Sequence, residues 1–458
     1  MKFVLTIIIV SVFSLNAKAQ NPSISTKYSE PLAVYLFTKS LQSYQGENAF
    51  KKTFTQSSFN TKKFQDLIAQ LDTLSTDYSY QYLEYPYGTK VPGMTSGLLK
   101  KNLIAADNLD AFMIRSVGII PNKNLVQLTH ILKEFIPVYR VLVYEPNQVK
   151  FEEQLVNIKN FVQEKKLVSY FKKGSQFYKS EWDNAIPLEI VFYPLPNSQG
   201  FTAEAFYNIG VSAIQTDLKN YDILLSVMLH EIFHIQFDEQ PIEIKNSIQS
   251  WFLQNPSKCS NYAYLLLNEV LATAIGNGYV YEQLHGNLDK GEWYNLPYIN
   301  QLAKEVYPLV ATYLKEGKSI DKAFVDNYIK AYEEKHANWI NELEHIMSYR
   351  FILSHQQSDF NIFRQLYPYC SIMEAEDQIT EGSIEKMKAA PLTKVIIVSK
   401  NNKSDLALIK KMFPELKNWN YNATKEFSYS QFLNDKSQLY IINQISSSTE
   451  TLIKQLKP

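Results

Sequence analysis

Glycine is scarce in this chain: 14 occur in 458 residues, under half the usual share of about 7%. That disfavours a turn-rich all-β architecture and a glycine-cradled phosphate site. Neither G-x-G-x-x-G nor G-x-x-x-x-G-K-[ST] is present, and no G-x-S-x-G nucleophile elbow is found. Cysteine is scarcer still. Cys259 and Cys370 are the only two, too few for a disulfide scaffold or a Cys-rich zinc site, and whether they pair is open at this level. An excess of one charge is lacking as well: 46 Lys+Arg balance 46 Asp+Glu. A protein built mainly to grip nucleic acid or an anionic membrane surface is therefore excluded as the first reading. Beyond the first twenty residues no apolar run reaches the roughly 18 residues of a membrane-spanning helix.

What is abundant is apolar and aromatic. Hydrophobic residues make up 45% and charged residues 20%, the profile of a globular chain that can bury a large core. Tyr (31) and Phe (26) dominate the aromatics. A cluster at Tyr80, Tyr82, Tyr85 and Tyr87 fits a packing element or a recognition lip, and a sugar-stacking surface is the sharper alternative.

The N-terminus has the order of a secretory leader. Lys2 is followed by an apolar stretch from Phe3 to Leu15, then Ala17-Lys18-Ala19, a small-x-small cleavage site. The apolar stretch is too short to cross a bilayer comfortably, which takes about 20 residues, and no cysteine follows it to accept a lipid. Residues 1–19 are therefore expected to be a signal peptide. The chain is expected to be exported to the periplasm or the extracellular space, with no stable membrane insertion after cleavage.

Three further regions follow from texture. Residues 20–186 read as mostly helical from about Glu30. Apolar residues recur at three and four in Phe64, Leu67, Ile68 and Leu71, and again in Leu125, Leu128, Ile131, Leu132 and Phe135. Region 187–390 opens with strand candidates, Leu188–Tyr193, Phe201–Tyr207 and Val211–Ile214, and then returns to helix until about Leu353. Region 391–458 reads β-α-β-α, with strands at Val395–Val398 and Leu439–Ile442 and helices at Ser404–Phe413 and Thr449–Leu456. The expected class is α+β, predominantly helical, with a small C-terminal α/β unit.

The chemistry concentrates in a run without Pro or Gly, Asp222 to Phe237, which contains His230-Glu231-Ile232-Phe233-His234. Residues i and i+4 stand one turn apart on one face of a helix, so the two imidazoles can converge on one Zn²⁺, while Glu231 reaches a water on it. A chance H-E-x-x-H in such a chain is an event on the order of one in a hundred on ordinary composition. The bland alternative is two core histidines satisfied by carbonyls, but an apolar helix gains nothing by burying His, Glu and His unless they are paired or metal-bound. A catalytic zinc needs a third protein ligand. Glu269 is the sole acid in the apolar helix Asn261–Ala274, and Glu282, His285 and Asp289 compete from a more polar stretch. Of the other histidines, His130 and His355 stand alone. His336 and His345 lie on a charged helical stretch, Asp321 to Tyr349, where solvation is expected.

The H-E-x-x-H helix followed by Asn268-Glu269-x-x-Ala272 resembles the gluzincins, zinc metallopeptidases related to thermolysin and the zinc aminopeptidases. The resemblance rests on residues 230–234 and 268–272, and more loosely on 187–315. It implies a zincin-like core with His230, His234 and Glu269 as zinc ligands and Glu231 as general base. It also implies a substrate-binding edge strand, at Gly210–Ile214, and a downstream Tyr or His as second oxyanion donor. Tyr298 is the candidate for that donor, ahead of Tyr294 and His285. In the family an acid four residues after the glutamate ligand orients the first histidine, and here Thr273 stands in its place. The amine-binding glutamate motif of the aminopeptidases is not found before the helix, so the resemblance favours an endopeptidase acting on peptide or protein. The competing readings are a non-catalytic exported zinc-containing protein that recognises glycan or protein through its aromatic surface, and a zinc hydrolase of a non-peptide amide.

Overall fold

In the computed structural model of the chain, residues 22–78, 93–196 and 202–456 are described. The leader segment and the tyrosines at 80, 82, 85 and 87 lie outside them. The fold is α+β, about 58% helix with two small sheets. Among the described residues no helix is long and apolar enough to cross a membrane. Two compact units divide the chain: residues 1–168, 182–199 and 206–216 form the first, and 169–181, 200–205 and 217–458 the second.

The first unit packs helices around an aromatic core. Ser29 caps the helix Glu30–Ser40, Asn48 the helix Ala49–Thr55 and Asn108 the helix Leu109–Arg115, each side chain accepting main-chain N–H bonds of the first turn. The expected apolar stripes are core faces. Phe64, Leu67, Ile68 and Leu71 of Lys62–Asp72 are buried, and so are Leu125, Leu128, Ile131, Leu132 and Phe135 of Asn122–Tyr139. Phe135 meets Phe37, Phe54 and Phe64 at ring-centroid distances of 5.2–6.3 Å in tilted and edge-on arrangements, the geometry the ring quadrupole favours.

Strands β1 (Ile24–Tyr28), β2 (Leu188–Leu195), β3 (Ala203–Phe206) and β4 (Ile209–Gln215) form a sheet of order β1-β2-β4-β3. β2 runs parallel to both β1 and β4, with Thr26 opposite Ile190 and Val191 opposite Val211. β1 has no counterpart in the sequence expectation. Its Ile-Ser-Thr-Lys-Tyr carries no strong strand pattern, and its partner is more than 150 residues away. Gly210–Ile214, expected as an edge strand, lies inside the sheet between β2 and β3, and the edge belongs to β3.

The second unit joins a helical body to a second sheet, β6-β5-β7-β9-β8. Its strands are β5 (Tyr349–Ser354), β6 (Ile372–Glu376), β7 (Thr393–Val398), β8 (Phe427–Phe432) and β9 (Gln438–Asn443). All neighbours are parallel except β8 and β9. The sheet therefore begins at Tyr349, ahead of the Pro391 start read from the sequence. Tyr349–Ser354, expected to close a helical stretch, is a fully buried strand. A short apolar run buried on both faces has no alternation to mark it as a strand. This sheet is an annex of the helical body. Asn261 donates to the Pro391 carbonyl at 2.9 Å, and the Tyr262 hydroxyl bonds Thr393 at 2.9 Å and accepts the Gln438 N–H at 3.1 Å.

Candidate metal centre

The helix Tyr221–Asp238 begins where the Asn220 side chain accepts the Asp222 N–H. Its apolar residues point in every direction, so it is buried almost all round, with Leu225, Met228, Leu229, Ile232 and Phe233 inaccessible. The helix Ser260–Thr273 lies against it and runs on through a π-helical turn, Ala274–Val280, into Tyr281–His285. Gly286 stops it with φ 91°.

Helical spacing brings the two ring nitrogens together: His230 Nε2 and His234 Nε2 are 3.2 Å apart. Glu269 Oε2 completes a triangle, 3.5 Å from His234 Nε2 and 3.7 Å from His230 Nε2. Three ligands at about 2.0–2.1 Å from a tetrahedral ion stand about 3.3–3.4 Å from one another, so the spacing fits zinc. Glu269 Oε2 is buried, with no bond shorter than its 3.5 Å approach to His234 Nε2, an acceptor that a cation would satisfy. Among the described residues this is the one group of three His, Cys, Asp or Glu side chains close enough to hold a metal ion.

Each residue of the triangle is steadied or charged by its surroundings. Asn268 Oδ1 bonds His234 Nδ1 at 2.9 Å, leaving Nε2 to face the triangle. Burial and the neighbouring His234 push His230 down to about 3. Burial also opposes charge on His234, but the hydrogen bond and charge of Glu269 outweigh it and raise His234 to about 9. Burial works to raise Glu269, yet the His234 hydrogen bond and charge leave it lowered. Glu231, next to the first ligand, is raised to about 7. Burial is the main cause, His234 opposes it, and the charges of Glu269 and Glu204 add to it.

The competing third ligands are engaged elsewhere. Glu282 accepts the Tyr307 hydroxyl at 2.5 Å, His285 Nδ1 bonds Asp222 at 3.1 Å, and Asp289 accepts the Gly291 N–H at 2.8 Å. Tyr298 is also committed away from the triangle. Its hydroxyl donates to Glu342 at 2.8 Å, and its ring packs on His345 and Trp339 at 4.6 and 5.0 Å. Tyr294 takes the position expected of Tyr298. Its ring stacks on His230 at 5.9 Å and 24°, and its hydroxyl reaches Glu269. Both tyrosines stand in the same short segment, and only the turn into the helix Pro297–Glu316 separates their directions. Thr273 does not orient His230: its hydroxyl is buried without a partner, and the Ala272 carbonyl faces the His230 ring instead.

Two roles are not assigned by the sequence. Asn268 enters the motif Asn268-Glu269-x-x-Ala272 without a role of its own. Glu204, on β3, was visible only as a strand residue. The two cysteines are free, Cys259 buried and Cys370 exposed.

Comparison with known proteins adds no relative: no family model, no curated protein and no solved structure matches the chain.

Proposed function

We propose that this protein is an exported zinc metallopeptidase of gluzincin type, cleaving internal peptide bonds. The observation that carries the reading is the His230–His234–Glu269 triangle at zinc-ligand spacing, with Glu231 beside it. Zinc, which these three residues would hold, would supply Lewis-acid polarisation of the scissile carbonyl and lower the pKa of a bound water toward neutrality.

The chain's own groups do the rest. Glu231, half-buried beside the triangle, accepts the proton of the attacking water and passes it to the leaving nitrogen. The Tyr294 hydroxyl donates to the oxyanion that develops on the carbonyl. Asn268 holds His234 in the tautomer that keeps Nε2 free. Apolar residues of Tyr221–Asp238 exclude water behind the pair, which strengthens each of these interactions.

The test is Glu231→Gln. Zinc content is expected to stay at one ion per chain, while hydrolysis of an unfolded protein substrate falls by about 10²–10⁴-fold. Undiminished proteolysis in that variant would refute the mechanism.

One observation favours a second reading of substrate choice. Glu204 lies close enough for its charge to raise Glu231, and a carboxylate there can bind the α-ammonium group of a substrate. Internally cleavable peptides with blocked termini separate the two: their hydrolysis supports the endopeptidase, and hydrolysis confined to free amino termini supports trimming.

A further inference from the structure

The helix of His230 and His234 and the continuation of the Glu269 helix approach most closely at Gly276 among the described glycines. A Cβ built on Gly276 would stand 2.6 Å from His230 Cβ, 2.7 Å from His230 Cα and 2.8 Å from His230 N. These are main-chain atoms and the root of a ligand side chain, not the far end of a flexible group, so nothing local can give way. Gly276 sits in the π-helical turn Ala274–Val280 that continues the Glu269 helix, and such wide turns recur at functional sites. Its neighbours hold the loop that carries Tyr294. Asn277 Nδ2 donates to the Trp293 carbonyl at 2.6 Å. A Cβ on Gly278 would meet the rings of Trp293 and Tyr307, each at 2.9 Å.

We propose that Gly276 is a positioning residue of the metal centre: the missing side chain sets the distance between the His230 backbone and the Glu269 helix, and so the size of the ligand triangle. The inference rests on the zinc reading above. Its reasoning is geometric. The triangle's edges, 3.2–3.7 Å, already match a tetrahedral ion. Ordinary contact for a new Cβ begins at about 3.4 Å, so a methyl group at 276 must push the helices apart by several tenths of an ångström at least. That displacement is carried into the distance from Glu269 to both histidines. Gly278 is the natural control, because its obstacles are the side-chain rings of Trp293 and Tyr307 rather than the His230 backbone.

The experiment compares wild type, Gly276→Ala and Gly278→Ala as full-length chains stripped of metal. Zn²⁺ affinity is measured by competition with a chromogenic chelator. Co²⁺ absorption reports ligand geometry, and circular dichroism with thermal unfolding of the metal-free chains reports the fold. Gly276→Ala is expected to keep wild-type helix content, to lose roughly 10–100-fold in Zn²⁺ affinity, the range for disturbed ligand support, and to show altered Co²⁺ bands. Gly278→Ala is expected to stay within about threefold of wild type in affinity, even where its unfolding temperature falls as far.

Wild-type affinity in Gly276→Ala, or equal losses in both variants, overturns the proposal. A Gly276→Ala chain that does not fold also counts against it, since the glycine would then serve helix packing as a whole. Wild-type protein that binds neither ion overturns the zinc reading itself, an outcome distinct from all of these.

Discussion

Two clusters of buried histidine stand in the second unit, and they are built on opposite principles. His230 and His234 face each other and a carboxylate, with nitrogen and oxygen atoms 3.2–3.7 Å apart. His345 is fully buried in a nest of neutral rings, Tyr262, Tyr298, Tyr332 and Trp339, at centroid distances of 4.6–6.3 Å. One bond, from Tyr332 to Nε2 at 3.0 Å, holds it, and burial pushes its pKa to about 3. The first cluster concentrates charge where an ion can relieve it. The second removes charge altogether and keeps a neutral imidazole as a packing piece. Burial alone therefore does not separate the two; what separates them is that two imidazoles and a carboxylate converge at one point in the first.

The largest expected break in that contrast comes from Glu269→Ala. Zinc affinity is expected to fall by at least about 100-fold, whereas Glu282→Ala and His345→Ala leave it unchanged; elemental analysis of the purified variants is the measurement. Loss of zinc in Glu282→Ala instead would move the third ligand to that residue.

The two tyrosines sharpen the contrast next. Tyr294→Phe is expected to lower kcat by about 10²-fold with zinc retained, the magnitude for one lost oxyanion donor. Tyr298→Phe should leave kcat alone and cost about 1 kcal/mol of stability through the lost Glu342 bond, readable by urea unfolding. Asn268→Ala has a smaller effect on the metal, about tenfold in affinity, because His234 keeps its place on the helix but loses its tautomer lock.

The subtlest difference is in pH. The folded-state pKa of His345, about 3, lies below the unfolded value of about 6.5. The unfolded chain then binds the extra proton between those values, so stability from neutral His345 is complete above about pH 6.5 and is lost as pH falls toward 3. In His345→Gln that part of the slope should vanish. An unchanged acid-unfolding profile would show that His345 does not titrate on unfolding as its burial requires.

The sequence expectation placed His345 in solvent, on the strength of charged neighbours. The helix Lys322–His336 does end in exposed charge, but a short 3₁₀ turn, Ala337–Asn341, redirects the chain inward before Leu343–Ile346. His336 meanwhile stacks on Trp339 at 3.8 Å. His355, apparently alone in the sequence, bonds Asp405 at 2.9 Å from fifty residues away. The polar partners of His345 and His355 stand 13 and 50 residues away, so composition around these two residues carried little information about them.

The same division runs through the candidate metal site. His230 and His234 are neighbours because 3.6 residues make a turn, a local rule that a five-residue motif expresses in full. Glu269 was legible at one remove, as the lone acid of an apolar helix. Asn268 over His234, Tyr294 rather than Tyr298 beside His230, and Gly276 against the His230 backbone were decided only by how the second helix and its loop pack on the first. Periodicity places side chains on one element with no knowledge of the rest. Which elements touch, and at which residue, depends on burying surfaces far apart in the chain, and that selection exists only once the tertiary structure has formed.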